Sequence, residues 1–243
     1  MPLDLRQSLK EVVRHVLFRV GAHQLIDRLR RRRGRYVEHM DMSQLPQVFS
    51  SIYENRVWIE ERGQLSLSGA GSTADATRSI GVALSRFLKE TGCKRLVDIG
   101  CGDFSWMRDV EGDFEYLGID VVPSLVENNN RIYGSTRRRF VCLDVTSQPI
   151  ERWGDVAICR EVLFHLSLKN AQGLLRHIKK ADFRHVLLTN DSSIWFNSDI
   201  RDGDFRRINL TKYPFRLPAP ITEFRDDMVS DGRVLGLWSG SAL

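Results

Sequence analysis

From residue 74 onward, short apolar runs alternate with segments of helical spacing, and this alternation constrains the fold more than any other feature. The runs are 95–99, 116–121, 139–145, 155–159 and 185–189, and helical patterns cover 74–90, 104–110, the stretch from Pro123, and 168–180. Short runs that are apolar throughout are typical of parallel strands covered on both faces. The chain is therefore predicted to form a doubly wound, mostly parallel α/β sheet, closed by a strand at 234–238.

The first 40 residues differ from the rest in charge. They carry a net charge of +6, whereas the whole chain of 243 residues carries +5, so the remaining 203 residues sum to −1. Apolar residues recur at helical spacing from Leu5 to Val20, and Arg28 to Arg35 contains six arginines. This basic amphipathic leader (residues 1–40) is expected to lie on an anionic membrane surface or an acidic partner, or else to pack on its own domain with a solvated arginine face. The nearly neutral body argues against a nucleic-acid groove.

The cysteines and the hydropathy pattern indicate the cell compartment. Cys93, Cys101, Cys142 and Cys159 form no Cys-x-x-Cys pair, so neither a disulfide framework nor a zinc site is predicted. No window reaches the length of a membrane span, and charges interrupt the N-terminus. We expect a cytoplasmic protein, or one peripheral at the inner membrane surface. Residues 1–73 are predicted as a helical extension with a covering loop, and 74–243 as the main domain.

A glycine turn directly after the first strand is the most informative motif. Gly100 and Gly102 in Asp98-Ile-Gly-Cys-Gly allow a sharp turn and the close approach of a nucleotide-like ligand. Asp120 and Asp144 end the next two strands, where carboxylates meet a ligand at the carboxyl edge of such a sheet. A dinucleotide fingerprint needs a third glycine where Ser105 stands, and no phosphate loop is present. A ligand with ribose and adenine but no phosphate fits best.

These motifs resemble those of class I S-adenosylmethionine (SAM)-dependent methyltransferases, and the resemblance covers roughly residues 70 to 243. It implies a Rossmann-like sheet of seven strands with SAM as cofactor. It places the two glycines beside the methionine part, Asp120 at the ribose, and Asp144 with the Val145 amide at the adenine. The implied cofactor-binding positions are Asp98, Gly100, Cys101, Gly102, Asp120, Val121, Asp144, Val145, the Arg160 backbone and Ser72. Phe104 stands where the family often has a further glycine.

Three further segments are similar to a group of bacterial methyltransferases that modify surface glycans or small metabolites. They are Ser68-Gly-Ala-Gly-Ser72, Leu163-Phe-His165-Leu-Ser and Leu235-Gly-Leu-Trp238. Ser68 to Thr73 precedes the first helix of the domain and is expected to fold over the cofactor carboxylate, or to be an ordinary loop ending in a helix cap. The resemblance favours a small-molecule or glycan acceptor.

His165 follows the fourth strand and is the candidate base for an acceptor hydroxyl, or else a packing histidine. No resident metal is predicted; as an alternative, Glu161, Asn190 and Asp191 provide oxygen ligands for Mg²⁺ after the fourth and fifth strands. Asn197 and Arg206 are candidate substrate-binding residues in the segment that follows the fifth strand. Trp58 and Trp106 line the pocket or belong to the core.

The leading hypothesis is therefore a SAM-dependent O-methyltransferase. Enzymes that methylate exocyclic base amines carry Asn or Asp with Pro-Pro and an aromatic residue after the fourth strand, and Arg160-Glu-Val-Leu163 differs from that pattern. Two alternatives stay open: a non-catalytic nucleotide-binding module, and an NAD-dependent oxidoreductase that lacks the third glycine.

Overall fold

The computed structural model describes residues 5–59, 66–226 and 232–243. Residues 1–4 of the leader lie outside this part of the chain. The α-helices are α1 Leu5–Arg19, α2 His23–Arg32, α3 Leu45–Glu54, α4 Ala74–Glu90, α5 Pro123–Tyr133 and α6 Leu168–Lys180. The strands are β1 Arg95–Ile99, β2 Glu115–Asp120, β3 Arg138–Cys142, β4 Val156–Cys159, β5 His185–Asp191, β6 Thr222–Arg225 and β7 Arg233–Ser239.

The strands form one seven-stranded sheet in the order β3-β2-β1-β4-β5-β7-β6. The first five strands are parallel, and β7 runs antiparallel to both β5 and β6. The predicted doubly wound, mostly parallel sheet is confirmed. The order reverses between β1 and β4, which opens a crevice at the carboxyl ends of the strands, the usual ligand site of such sheets.

Side chains alternate between the two faces of the sheet, and each face carries its own core. Val97 and Ile99 of β1 belong to a core with α3 and α6, whereas Leu96 belongs to a second core with α4. The apolar side of α3 is therefore part of the body, because Val48 and Ile52 are almost fully buried against the sheet.

Local signals set where the body helices begin. The Thr73 hydroxyl accepts the Ala76 amide at the start of α4, and the Ser167 hydroxyl accepts the Asn170 amide at the start of α6. Pro123 occupies the first turn of α5, where backbone N–H groups have no acceptor within the helix, so the lack of an N–H in proline costs no hydrogen bond. The predicted bounds of α4 and α6 are confirmed.

Two details of the sequence reading are corrected. The segment 104–110 was expected to be helical, but it holds only a short 3₁₀ helix at Met107–Asp109. Asp144 was expected to end the third strand, but β3 ends at Cys142 and Asp144 begins the turn that follows. A left-handed backbone at Phe104 accounts for the first correction, because its φ of +58° cannot start a right-handed helix.

The leader folds as α1 and α2, separated at Gly21, where φ is +74°. Both helices contact the insert, which we define as residues 192–221 between β5 and β6. Buried acidic side chains make these contacts: Glu11 receives a hydrogen bond from Ser198, and Asp27 pairs with Arg201. Among the described helices, none is long and apolar enough to cross a membrane.

Candidate active site

An open cleft lies at the carboxyl edge of the sheet, over the β1–β4 crevice. Side chains and backbone from α3, the glycine turn and the ends of β2, β3 and β4 line it. The lining residues are Leu45, Phe49, Tyr53, Trp58, Ser68, Ser72, 99–103, Trp106, 119–121, 143–146, 160–162, His165, Leu166 and Leu174. Most of the expected cofactor positions therefore meet in one place.

The glycine turn at 100–102 requires its glycines for both conformation and space. Gly100 has φ +76° and Gly102 has φ +56°, a region that favours glycine. A Cβ at Gly100 would lie 2.2 Å from the Cγ2 atom of Val162, and one at Gly102 would lie 2.5 Å from the Ser68 hydroxyl. The side chains of Val162 and Ser68 therefore pack directly against the backbone of the turn and leave no space for a Cβ.

Phe104 follows the turn with a positive φ despite its side chain. Its φ is +58°, and the ring is almost fully buried. The ring packs at 4.9 Å from Tyr116 and 5.1 Å from Phe140, and the Arg138 guanidinium lies 4.9 Å above it. These contacts offset a backbone conformation that costs roughly 1 to 3 kcal/mol for a residue with a side chain. This packing stabilises the left-handed backbone of Phe104 without a glycine at this position.

Asp120 occupies the floor of the cleft at the end of β2. Its two oxygens accept the Gly102 amide at 2.9 Å and the Val122 amide at 3.0 Å. Burial raises the pKa of this carboxyl, while the backbone hydrogen bonds oppose the rise. Each oxygen retains a lone pair for a further donor, so the carboxylate can accept the two hydroxyls of a ribose.

The adenine-side loop after β3 is fixed by its own hydrogen bonds. Asp144 accepts the Thr146 amide and hydroxyl at 2.9 and 2.7 Å, and the Ser147 hydroxyl at 2.9 Å. The ring of His177 holds the Val145 carbonyl at 2.6 Å. Asp144, Val145 and Thr146 all line the cleft, so a base lying there meets a preformed edge.

The Ser68–Ser72 loop covers the glycine turn. The Ser68 hydroxyl accepts the Asp103 amide at 3.1 Å, and the Ser105 hydroxyl donates to the Ser72 carbonyl at 3.3 Å. Asp103 in turn accepts the Leu67 amide at 2.8 Å. Ser68 and Ser72 therefore lie on the cleft wall, and the loop has the placement expected of a covering segment.

Asp98 does not line the cleft. Its carboxylate accepts the Tyr116 hydroxyl at 2.7 Å inside the sheet, and burial raises its pKa to about 7. The expected contact with the cofactor is corrected, because the side chain points between β1 and β2 and supports the turn from behind. Its neighbour Cys101 does line the cleft.

The Arg160 side chain has a structural role at the end of β4. Its buried guanidinium donates to Asp226 at 2.8 and 2.7 Å and to the Gly71 carbonyl at 2.9 Å. The indole of Trp106 lies 5.0 Å from it. This network ties the covering loop to the sheet, and Arg160 also lines the cleft.

The alternative metal ligands are separated by their arginine partners. Glu161 lines the cleft but pairs with Arg233 at 2.6 Å, whereas Asp191 pairs with Arg207 at 2.5 Å. Asn190 accepts the Leu210 amide at 2.8 Å. Within residues 5–59, 66–226 and 232–243, no three His, Cys, Asp or Glu side chains converge as metal ligands.

His165 lies in a short 3₁₀ helix after β4, with its ring in the cleft. Its Nδ1 lies 2.9 Å from the Asp204 carbonyl, which can only accept, so Nδ1 carries the proton and Nε2 the lone pair. The ring centre lies 4.8 Å from that of Trp58, with the two planes tilted by 32°. Burial lowers its pKa to about 4, so the imidazole is neutral at physiological pH.

An aromatic wall lines the cleft near the glycine turn; of its members the sequence pointed to Trp58 but not to Phe49 or Tyr53. Phe49 and Tyr53 of α3 join Trp58, whose ring centre lies 5.4 Å from that of Tyr53. The Tyr53 hydroxyl is 3.0 Å from the Ser68 hydroxyl. The signal was the apolar helical spacing of 45–53, a segment that the sequence reading assigned to the extension.

Asn197 and Arg206 do not reach the cleft. Asn197 donates to the carbonyls of Asn209 and Tyr213, and Arg206 donates to the carbonyls of Leu166 and Leu163. Both side chains are buried, and burial lowers the Arg206 pKa to about 10. The expected substrate contacts are corrected, because these residues fold the insert onto the body.

Comparison with known proteins agrees with this geometry. A family model described as a methyltransferase domain matches residues 97–181. Magnesium protoporphyrin IX methyltransferase from Synechocystis PCC 6803, with bound SAM, has a TM-score of 0.57 at 10% identity, covering 81% of this chain and 97% of its own. N-methyltransferase NodS from Bradyrhizobium japonicum WM9 has a TM-score of 0.51 at 14% identity, covering 68% and 96%.

Mitomycin 7-O-methyltransferase MmcR also has a TM-score of 0.51 at 14% identity, covering 68% of this chain and 54% of its own. No curated protein matches the chain by sequence. The methyltransferase-domain match covers the part of the chain from β1 to the end of α6, and the fold is one that SAM-dependent methyltransferases of known structure share. The turn at Gly100 and Gly102, with Asp120 beneath it, fits SAM as the cofactor.

Proposed function

We propose that this methyltransferase transfers the methyl group to a hydroxyl of a sugar, a glycan or another polar ring compound, with His165 as the proton acceptor. The observation that carries the proposal is the hydrogen bond from Nδ1 of His165 to the Asp204 carbonyl. It fixes the tautomer and leaves Nε2 as a lone-pair acceptor on a ring that lines the cleft.

Methyl transfer needs alignment and, for an alcohol, a place for the proton. SAM supplies the methyl group, whose bond to sulfur breaks as the bond to the acceptor oxygen forms, and the bonding pair stays on sulfur. His165 accepts a hydrogen bond from the acceptor hydroxyl, which orients an oxygen lone pair for in-line attack. Its Nε2 then takes the hydroxyl proton and later releases it to water.

The low pKa of His165, about 4, makes the ring a weaker base than an exposed histidine but does not prevent this role. An oxygen that gains a methyl group before it loses its proton is a far stronger acid than an imidazolium, so even a weakened imidazole takes that proton. The ring is neutral across the physiological range, which keeps the lone pair free. The positive charge that leaves sulfur is then carried by the imidazolium, so the net charge in the cleft is unchanged.

The aromatic wall supports a ring-shaped acceptor. Trp58 lies against both His165 and Tyr53, at 4.8 and 5.4 Å between ring centres, and presents a flat apolar surface beside the proton acceptor. The apolar C–H face of a sugar ring packs well on such a surface, while its hydroxyls reach polar partners at the edge.

The test pairs His165→Gln with His185→Gln, a half-buried histidine at the opposite edge of the sheet. Glutamine can accept a hydrogen bond but cannot take the proton. We expect S-adenosylhomocysteine formation with methyl glycosides or catechol to fall about 10²- to 10⁴-fold in His165→Gln, with SAM affinity by calorimetry unchanged, and to persist in His185→Gln.

Two outcomes contradict the proposal. One is unchanged turnover in His165→Gln. The other is turnover with amino sugars or simple amines but with none of the hydroxyl acceptors, which would make the enzyme an N-methyltransferase. Asp120→Asn is the complementary variant: unlike His165→Gln, it should weaken SAM binding. Normal SAM affinity in that variant would contradict the assignment of Asp120 to the ribose.

The pH profile gives an independent prediction. Because only neutral His165 accepts a proton and its pKa is about 4, kcat/KM should stay level from pH 8 to 5 and fall only near pH 4. Stopped assays across that range check this. An acidic limb near pH 6.5 would show that the ring is solvated in the working enzyme.

A further inference from the structure

The leader exposes an apolar stripe on the side that faces away from the body. Leu5, Leu9, Val13 and Val16 of α1, with Val20 directly after it, are 51 to 69% exposed. At about 100° per residue these five positions fall within about 80° of the helix circumference, so they form one continuous stripe. Free in water, such a stripe is unfavourable, which indicates that something covers it.

The opposite side of α1 makes the contacts with the body, and apart from a ring contact between His15 and Phe196 these include several polar ones. Glu11 is 2% exposed and receives the Ser198 hydroxyl, Arg14 pairs with Asp204 at 3.6 Å, and His15 accepts the Asp199 amide at 3.2 Å. The orientation of α1 is therefore fixed by hydrogen bonds and ion pairs, and it holds the aliphatic stripe outward.

Cations border the stripe. Arg6 and Lys10 follow it on one side, and Arg19 lies on the other. Arg28, Arg32, Arg33 and Arg35 are also exposed, and none of these seven basic side chains forms an ion pair within the described part of the chain. Exposed Arg31, by contrast, pairs with Glu38 and Asp41. The two acids of α1 and α2, Glu11 and Asp27, are buried against the insert.

We propose that the α1 stripe with its flanking cations docks on the surface of an anionic lipid bilayer. Aliphatic side chains bury in the boundary between headgroups and acyl chains, while lysine and arginine reach the lipid phosphates. A second copy of the chain fits the stripe less well, because a twofold interface would bring Arg6, Lys10 and Arg19 of both copies together. The convex helix offers no groove for a partner helix.

Vesicle flotation of the full chain tests the proposal. We expect binding to phosphatidylcholine vesicles with about 30% phosphatidylglycerol that is at least about tenfold stronger than to pure phosphatidylcholine. Binding should weaken as NaCl rises from about 50 to about 500 mM, since salt screens the cations.

Two sets of variants have matched controls elsewhere on the surface. Leu9→Gln with Val13→Gln and Val16→Gln should lose at least about tenfold in vesicle binding, whereas Val82→Gln with Ile132→Gln and Ile221→Gln, also exposed aliphatics, should not. Neutralising Arg6, Lys10 and Arg19 to Gln should remove the anionic preference, and neutralising exposed Arg86, Lys89 and Lys179 should not.

Circular dichroism checks that each variant remains folded. The stripe variant and the cation variant test the proposal independently, so if one of them unfolds, the other still decides. Three outcomes overturn the proposal: no binding to either vesicle, equal loss in the control variants, or a dimer in light scattering that the stripe substitutions dissolve. The last outcome would make the stripe a contact between copies.

Discussion

Helices α1 and α4 have similar apolar periodicity but opposite orientations toward the body. In α4, Ile80, Leu84 and Leu88 are at most 1% exposed and join the core, whereas in α1 Leu9 and Val16 are 63% and 53% exposed. The difference arises from what each helix meets. The sheet offers α4 an apolar surface, and the insert offers α1 arginine, serine and carboxylate partners. Apolar spacing therefore predicts a helix with two faces but not which face turns inward.

The largest expected effect tests that comparison directly. Leu84→Ala in α4 removes a side chain that is 1% exposed and should lower the free energy of unfolding by about 2 to 5 kcal/mol. Leu9→Ala in α1 should change it by no more than about 0.5 kcal/mol. Urea unfolding measures both. Equal losses would mean that α1 packs its apolar side on the body in solution.

A second prediction contrasts two buried carboxylates. Asp27 in the leader has arginine partners, whereas Asp98 in the body has the Tyr116 hydroxyl and a pKa of about 7. The folded state therefore holds a proton that the unfolded state has lost, so this group's contribution to stability is present below pH 3.8 and is lost as pH rises to about 7, by up to about 4 kcal/mol.

Asp98→Asn should remove that contribution, so its free energy of unfolding should fall less than that of the native chain between pH 4 and 7. The opposing contribution of His165, whose folded pKa is lowered, is common to both proteins and cancels in the difference. Denaturant titrations at several pH values measure this difference, with exposed Asp113→Asn as the control. Parallel curves for Asp98→Asn and the native chain would contradict the raised pKa.

The smallest expected effect concerns the ion pair between Asp27 of the leader and Arg201 of the insert. Asp27→Ala leaves Arg201 without its buried partner, and we expect a loss of about 1 to 3 kcal/mol, since Arg201 is 19% exposed and regains some water. Asp75→Ala on α4 breaks an exposed pair with Arg78 and should have little effect. Hydrogen exchange should show faster opening of α2 only in the first variant. Unchanged exchange there would mean that the Asp27–Arg201 pair does not hold α2 on the insert.

The sequence was sufficient for the parts of the fold that depend on local periodicity and turn chemistry. The parallel strands, α4, α6 and the glycine turn followed from apolar runs, N-cap residues and backbone freedom at Gly100 and Gly102. The orientation of Asp98 could not be predicted, because an aspartate in a strand reaches either face of the sheet. Its partner Tyr116 is adjacent only through the β1–β2 register.

The same limit applies to the site. His165 and the acids at 120 and 144 were placed in the cleft because strand ends converge. Arg206 and Asn197 were misplaced, because a polar residue in a long insert is equally suited to bind substrate or to satisfy buried carbonyls. The aromatic wall depends on α3 folding back over the sheet, a long-range contact that no local pattern encodes.

Asp204 contacts both the leader and the cleft residue His165. Its carboxylate holds Arg30 at 3.2 Å and Arg14 at 3.6 Å, while its carbonyl holds the ring of His165. A chain shortened to begin after residue 35 would lose both of those cations and so loosen the loop that sets the histidine's tautomer. If His165 and the α1 stripe act as proposed, we expect such a truncation to slow methyl transfer even in solution without lipid, and separately to weaken vesicle binding.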